Sequence, residues 1–316
     1  MFLTVLGNGA GGPFHGRHYT AQVLQVDNQF FLIDCGEGTQ MQIFKYGVKA
    51  DRFRHIFISH LHGDHVFGLI GLLTSWCLKK RSETLHIYAP PGVQELVATT
   101  ARICGIKFPY TIEFVEVDAA VHQKIFENSK VEVWTIPLNH RAPTSGWLFR
   151  EKQRQPNILK SKIDQYDIHY RYIPGIKAGD NFVLPNGDVI PNAELTSPAL
   201  PPRSYAFCSD TAPADAVVDA VRGVDLLYHE ATFTEDHTEE ATISFHSTAA
   251  QAAGIARRAG VGHLLIGHLS GRYSDEAQHL AEARAIFPKT DFALEGHRWA
   301  IGPSATHATG LENGFK

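Results

Sequence analysis

The sequence predicts a mixed α/β (α+β) domain whose strand ends converge on a metal site. Three observations predict it. Strand-type and helix-type apolar segments follow one another from Phe2 to His268, separated by glycine-rich breaks. Four strand-type runs stop at metal-ligand residue types: at 60–65, at His140, at Asp210 and at His268. In α/β sheets functional groups collect outside one set of strand ends, so the four endings point to one shared site.

Taken in order, Phe2-Leu3-Thr4-Val5-Leu6 reads as an opening strand. Gly7 to Pro13 is too glycine-rich for regular structure and matches neither the P-loop nor the dinucleotide fingerprint. Residues 21–26 and 30–34 read as two strands joined through Asp27-Asn28-Gln29, which has hairpin-turn chemistry. Asp34 ends the second strand and is read as a hydrogen-bonding support beneath the histidine loop, with direct metal ligation the alternative. Met41 to Phe44 continues as a helix.

Ile56-Phe57-Ile58 is a strand that delivers Ser59-His60-Leu61-His62-Gly63-Asp64-His65. In extended chain His60 and His62 point the same way; a turn at Gly63 carries Asp64 and His65 to a second position. Val66 to Leu73 reads as a buried helix behind the loop. Further strands are expected at 85–90, 111–117 and 131–138, with a helix from Gly92 to Cys104. Strands at 204–208 and 224–228 end in Ser209-Asp210 and His229-Glu230, and one more strand, 263–268, ends in His268. Residues 247–259 form a helix capped by Ser247 or Thr248, with Arg257 and Arg258 in its last turn.

Residues 150–180 differ. They have little apolar periodicity and combine Lys160, Lys162, Arg171 and Lys177 with Tyr166, His169, Tyr170 and Tyr172. Glu151, Asp164, Asp167 and Asp180 oppose those charges, so a plain surface excursion and a basic-aromatic arm that grips RNA both remain open.

Composition excludes several classes. No apolar segment of the 316 residues approaches the ~20 needed to span a bilayer, and Met1 to Gly7 lacks a basic leader, so no membrane role is expected. The four cysteines, Cys35, Cys77, Cys104 and Cys208, form no C-x-x-C pair. That argues against a disulfide framework and favours the cytoplasm. A net charge of −4 argues against non-specific coating of nucleic acid and leaves local basic patches open.

Imidazole and carboxylate donors suit Zn²⁺ better than Mg²⁺ or Ca²⁺, with Mn²⁺ a fair alternative. The donors divide into two sets: His60, His62 and His140 for one ion, and Asp64, His65 and His268 for another, with Asp210 between them. Two such ions acidify a water and neutralise charge on a phosphoryl or carbonyl oxygen. Asp64 is also a candidate acceptor of the water's proton. Cys208 shares a face with Asp210 and is read as a core thiol.

H-x-H-x-D-H with the distant His, Asp and His resembles the metallo-β-lactamase superfamily, which implies a four-layer αββα sandwich. Asp34-Cys35-Gly36-Glu37-Gly38-Thr39-Gln40, His229-Glu230-Ala231-Thr232 and His246-Ser247-Thr248 are similar to signatures of the ribonuclease Z family. The resemblance runs from about Leu3 to about residue 295. It implies one domain over 1–316 with 150–180 as a protruding tRNA-binding arm, two zinc ions per subunit, and precursor tRNA as substrate. The implied reaction removes 3′ trailers after the discriminator base and leaves a 3′-hydroxyl. A homodimer is also implied, one subunit's arm clamping tRNA cut by the other.

Cleavage expels a ribose 3′-oxygen that must gain a proton. His246, oriented and kept positive by Glu230, is the candidate acid, and Asp64, Glu230 and His246 form the expected catalytic set. His229 is read as an orienting residue. Two stretches depart from the family pattern. Its P-x-K-x-R-N loop, linked to sensing a CCA end, is here Pro13-Phe14-His15-Gly16-Arg17-His18, and the arm's glycine-proline motif is absent, the only Pro-Gly pair within 150–180 being Pro174-Gly175. Two other readings keep parts of this pattern: a hydrolase of small phosphodiesters or esters, which needs no arm, and an RNA-binding scaffold, which needs no Glu230–His246 pair.

Overall fold

Two large sheets carry the fold of the computed structural model, which describes residues 1–302 and 308–310. The first has eight strands, in the order 308–310, His297–Ala300, Phe2–Gly7, Ala21–Val26, Gln29–Ile33, Phe53–Phe57, Leu85–Ala89, Ile112–Glu116. The second has seven: Thr290–Phe292, His263–Gly267, Leu226–Glu230, Ser204–Cys208, Ser145–Glu151, Val131–Pro137, Lys124–Glu127.

The period-two pattern shows why the sheets stack. Phe31, Ile33 and Phe57 of the first sheet share a core with Tyr205, Phe207, Leu226, Tyr228 and Leu265 of the second. Their neighbours point the other way. Leu32, Ile56 and Ile58 pack with Ile43, Leu69 and Val93 of the helices Thr39–Lys45, Leu69–Leu78 and Val93–Cys104. Ala206, Leu227, Leu264 and Ile266 pack with Val217, Ala252 and Ala283 of Asp215–Ala220, Ala249–Ala259 and Ala277–Ile286. Strands apolar on both faces must be covered on both, which yields helix, sheet, sheet, helix. The middle layer is aromatic: Phe57 stacks on Tyr88 with ring centroids 4.6 Å apart, and Phe207 on Tyr228 at 5.1 Å.

Phe53–Phe57 runs parallel to Gln29–Ile33 and Leu85–Ala89, and Leu226–Glu230 runs parallel to its two neighbours. The C-terminal ends of these parallel strands carry Asp34, the 59–65 loop, Asp210, Glu230 and His268. Thr248 caps Ala249–Ala259 in a capping box with Gln251. Gly63, expected to make a sharp turn, instead begins a one-turn helix, Gly63–Val66, and a second helix resumes at Leu69. A Cβ at Gly63 would lie 2.4 Å from the ring of the exposed Phe67, which would have to turn aside to admit it.

Residues Glu151–Pro202 form a separate compact unit. Its own small core consists of Ile168, Ile176, Phe182 and Leu195. Two pairs of two-residue strands and the helices Lys160–Gln165, Ile173–Ala178 and Asn192–Leu195 surround that core. Segment 150–180, which lacks apolar periodicity, falls mostly within this unit. All four cysteines are unpaired, and no helix among the described residues is long and apolar enough to cross a membrane.

Candidate metal centre

Seven side chains converge at the strand ends. One group is His60, His62, His140 and Asp210; a second is Asp64, His65 and His268; within each group one ligand atom per residue lies within 4.8 Å of the others. Asp210 stands between them. Its Oδ1 is 3.3 Å from His65 Nε2 and 3.2 Å from His268 Nε2, while its Oδ2 is 3.5 Å from His60 Nε2 and 3.9 Å from His140 Nε2. Asp64 Oδ2 is 3.6 Å from Nε2 of both His65 and His268. His62 Nδ1 is 3.0 Å from His60 Nε2 and 3.4 Å from His140 Nε2.

The outward nitrogens explain the convergence. His65 Nδ1 is held by Asp34 Oδ2 at 2.7 Å, and His60 Nδ1 lies 3.0 Å from Ser59 Oγ. His268 Nδ1 lies 3.0 Å from Thr232 Oγ1, and His140 Nδ1 lies 2.9 Å from the Phe245 carbonyl. A ring whose outer N–H is engaged turns a lone pair inward, the arrangement a divalent ion requires. Two carboxylates and five imidazoles, mostly buried, therefore fit a pair of divalent cations.

Electrostatics agree. Burial alone would raise the Asp210 carboxyl, but the surrounding His268, His65 and His60 hold it well below the usual carboxylate range. Asp64 is likewise lowered, by His65 and His268 against the effect of burial. Burial and the neighbouring His65 charge push His60 down to about 4, which favours its neutral, ligating form.

Asp34 supports the loop from below. Its Oδ1 accepts from the Ser59 backbone N–H at 2.7 Å, and its Oδ2 accepts from Ser59 Oγ at 2.8 Å. Both Asp34 and His268 sit in the left-handed region, with φ of 56° and 61°. Cys208 is fully buried in the core, and burial raises its thiol pKa.

Glu230 and His246 stand beside the cluster. Glu230 is fully buried, and its Oε1 holds His246 Nδ1 at 2.8 Å and accepts from the backbone N–H groups of Thr211 and Ser247. Burial would lower the His246 pKa, yet the Glu230 charge and hydrogen bond raise it to about 9. The His246 ring centroid is 5.1 Å from that of His140, and with Asp210 and His268 it forms a third, overlapping trio of donors. His229 contacts the Glu230 carbonyl through Nδ1 at 2.7 Å and is fully buried.

Three supports were not singled out from sequence. Thr232 Oγ1 donates to Glu230 Oε2 at 2.7 Å and also reaches His246 Nδ1 at 3.2 Å, so one hydroxyl touches three groups of the site. The only signal was its place as the last residue of His229-Glu230-Ala231-Thr232. The Gly11 N–H donates to Asp64 Oδ2 at 2.9 Å, and Ser59 Oγ reaches Ser209 Oγ at 3.2 Å, joining the two strand-end loops. In the altered 13–18 loop, His15 Nε2 lies 2.9 Å from the Gly271 carbonyl and His18 Nδ1 2.8 Å from Glu295 Oε2.

Known proteins were compared with this chain. A family model described as Anti-Pycsar protein Apyc1 matches residues 1–153. Ribonuclease Z of Bacteroides fragilis strain YCH46 is 45% identical over 293 residues, covering 93% of this chain and 96% of that protein. Ribonuclease Z of Parabacteroides distasonis is 43% identical over 299 residues, covering 95% and 98%. Among solved structures, human tRNase Z, short form, superposes with a TM-score of 0.68 at 24% identity, covering 96% of this chain and 100% of that one. The metallo-β-lactamase fold protein YhfI of Bacillus subtilis gives 0.65 at 20% identity, covering 95% and 99%. The structural likenesses establish the metallo-β-lactamase fold, and the identity over nearly all of both chains establishes that this protein belongs to the ribonuclease Z family.

Proposed function

We propose that the protein is a zinc-dependent endoribonuclease that removes 3′ trailers from precursor tRNA, cutting after the discriminator base and leaving a 3′-hydroxyl. The observation that carries this reading is the buried Glu230–His246 pair beside the two donor groups, in a chain 45% identical to a protein named Ribonuclease Z.

His60, His62 and His140 would hold one ion, Asp64, His65 and His268 the other, and Asp210 would serve both. Bound there, two zinc ions supply charge neutralisation at phosphoryl oxygens and acidify a water; manganese is the alternative. The chain's own residues do the rest. Asp64, fixed through Oδ2 by the Gly11 N–H, is oriented to take a proton from the attacking water. His246, held charged by Glu230 at neutral pH, donates its proton to the departing ribose 3′-oxygen. Thr211, Thr232 and Ser247 occupy both Glu230 oxygens, so the carboxylate stays ionised and stationary while the imidazole changes charge.

Two further assignments belong to this reading. The unit Glu151–Pro202 is the tRNA-binding arm, supported by its exposed Tyr170 and Tyr172 beside Arg171. The protein acts as a homodimer. Met41, Phe44 and Leu78 are apolar yet 74%, 52% and 83% exposed on two touching helices, a surface that suits a second copy. A cytoplasmic location accords with four unpaired cysteines.

The test is cleavage of a 3′-extended precursor tRNA by zinc-loaded protein, with the ends mapped, beside Asp64→Ala and His246→Ala. The expected result is one cut after the discriminator, abolished by the first change and strongly slowed by the second. Hydrolysis of a small phosphodiester with the precursor left intact would keep the metal centre and replace the tRNA reading by that of a small-molecule phosphodiesterase.

A further inference from the structure

The cavity that holds the donor cluster is about 360 Å³, and it does not end at the metal ligands. A larger groove of about 810 Å³ adjoins it, and His140 and Arg141 line both. Pro91, Val117, Leu138 and Pro143 give the groove apolar surface, while Glu116 and Asp118 are its only carboxylates. Arg141 is fixed at the junction, where Nη2 donates to the Ile243 carbonyl at 2.6 Å.

That charge pattern selects among the parts of a nucleic acid. A phosphate backbone in the groove would meet two carboxylates, whereas beside Arg141 it would meet a guanidinium. A base has the opposite needs. Its faces pack on proline and aliphatic side chains, and its amino and imino groups donate to carboxylates. Only an unpaired nucleotide can turn its base aside in this way.

We infer that the groove lined by Pro91, Leu138 and Pro143 is a base-binding subsite for an unpaired nucleotide adjoining the scissile phosphate, with Arg141 holding the phosphate link between them. The inference rests on the RNA-cleaving reading and gives that site a second pocket. It makes cleavage depend on a base that undergoes no chemistry. A small diester, which needs the central cavity alone, would be indifferent to the groove.

The experiment fills the groove. Ala142→Trp and, on the exposed 118–121 turn, Ala120→Trp are compared with the wild type on a precursor tRNA and on bis(p-nitrophenyl) phosphate. Matched precursors lack the base either just before or just after the cut. The expected result is a fall of about tenfold or more in kcat/KM on the precursor, in line with the loss of one stacked base. Hydrolysis of the small diester should be unchanged, and one of the two abasic precursors should be cut slowly by the wild type and no more slowly by the variants. Unaltered cleavage of every precursor, or equal slowing of both substrate classes, would overturn the inference. A wild type that hydrolyses the diester but leaves every precursor intact would remove the tRNA reading itself, and the subsite with it.

Discussion

Asp34 Oδ2 lies 2.7 Å from His65 Nδ1, both residues fully buried, so the innermost histidine of the cluster is held by a carboxylate that faces no solvent. The same carboxylate fixes Ser59, and through it the start of the histidine loop. Asp34→Asn keeps the shape and removes the charge. Zinc affinity should fall about 10- to 100-fold, the range for lost outer partners of metal ligands. Competition against a chromophoric chelator measures it, and an unchanged affinity would show that His65 is oriented without Asp34.

Thr232→Val deletes a hydroxyl that touches Glu230, His246 and His268 without changing side-chain volume much. The buried Glu230 Oε2 would keep only its bond from the Thr232 backbone N–H. A loss of about 1–3 kcal/mol in stability is expected for a buried polar group left short of a partner, together with weaker metal binding through His268. Denaturant unfolding and metal titration on one preparation separate the two effects.

The proton-donor role of His246 predicts a dependence on the leaving group. His246→Ala should slow cleavage of an RNA linkage by about 10²- to 10⁴-fold, the usual range for general acid catalysis. A p-nitrophenyl diester, whose leaving group departs without a proton, should lose far less. Equal losses on both substrates would instead make His246 a metal ligand, as its trio with Asp210 and His268 allows.

Stability should fall in acid partly through His279, which is wholly buried on the helix Ala277–Ile286. Burial and the nearby Arg17 push its pKa down to about 4, against 6.5 for the unfolded chain. As pH falls from 7, the unfolded chain takes up this proton first, so the native state loses about 2 kcal/mol from this group by pH 5. The loss is complete below about 4. Urea unfolding at both pH values should show a smaller difference for His279→Gln than for the wild type.

The site was more legible than its surroundings, for a physical reason. Metal ligands must be particular residue types, so His60, His62, Asp64 and His65 announce themselves at close spacing. Strands apolar on both faces, such as Gln29–Ile33 and Leu226–Glu230, were equally plain. Less legible was Ser145–Glu151, the strand paired antiparallel with Ser204–Cys208, because its run Ser145-Gly146-Trp147-Leu148-Phe149 opens with two weak strand formers. Gly146 is there because a Cβ would lie 2.6 Å from the Phe207 carbonyl, a demand of tertiary packing that no local pattern carries. Thr232 and Gly11 stayed hidden for the same kind of reason: their partners lie far away in sequence or act through the backbone. The core of Glu151–Pro202 has only four buried apolar side chains scattered along the segment, too few to set a period.

The positive φ of Asp34 and His268 restricts which sequences this centre can accept. Apart from glycine, the residues that best tolerate the left-handed region are Asn, Asp and His. Two of those three are also metal-site residues, so at 34 and 268 the conformational alphabet and the chemical alphabet overlap in Asp and His. A cysteine or glutamate at 268 would offer a sound donor on an unsuitable torsion, costing of order 1–3 kcal/mol, and a glycine would offer the torsion with no donor. Drift at 268 is therefore screened twice, once by the backbone and once by the ion, and drift at 34 by the backbone and by the hydrogen bond to His65. Redesign of the centre for a softer metal would have to rebuild the strand ends before it changed a ligand.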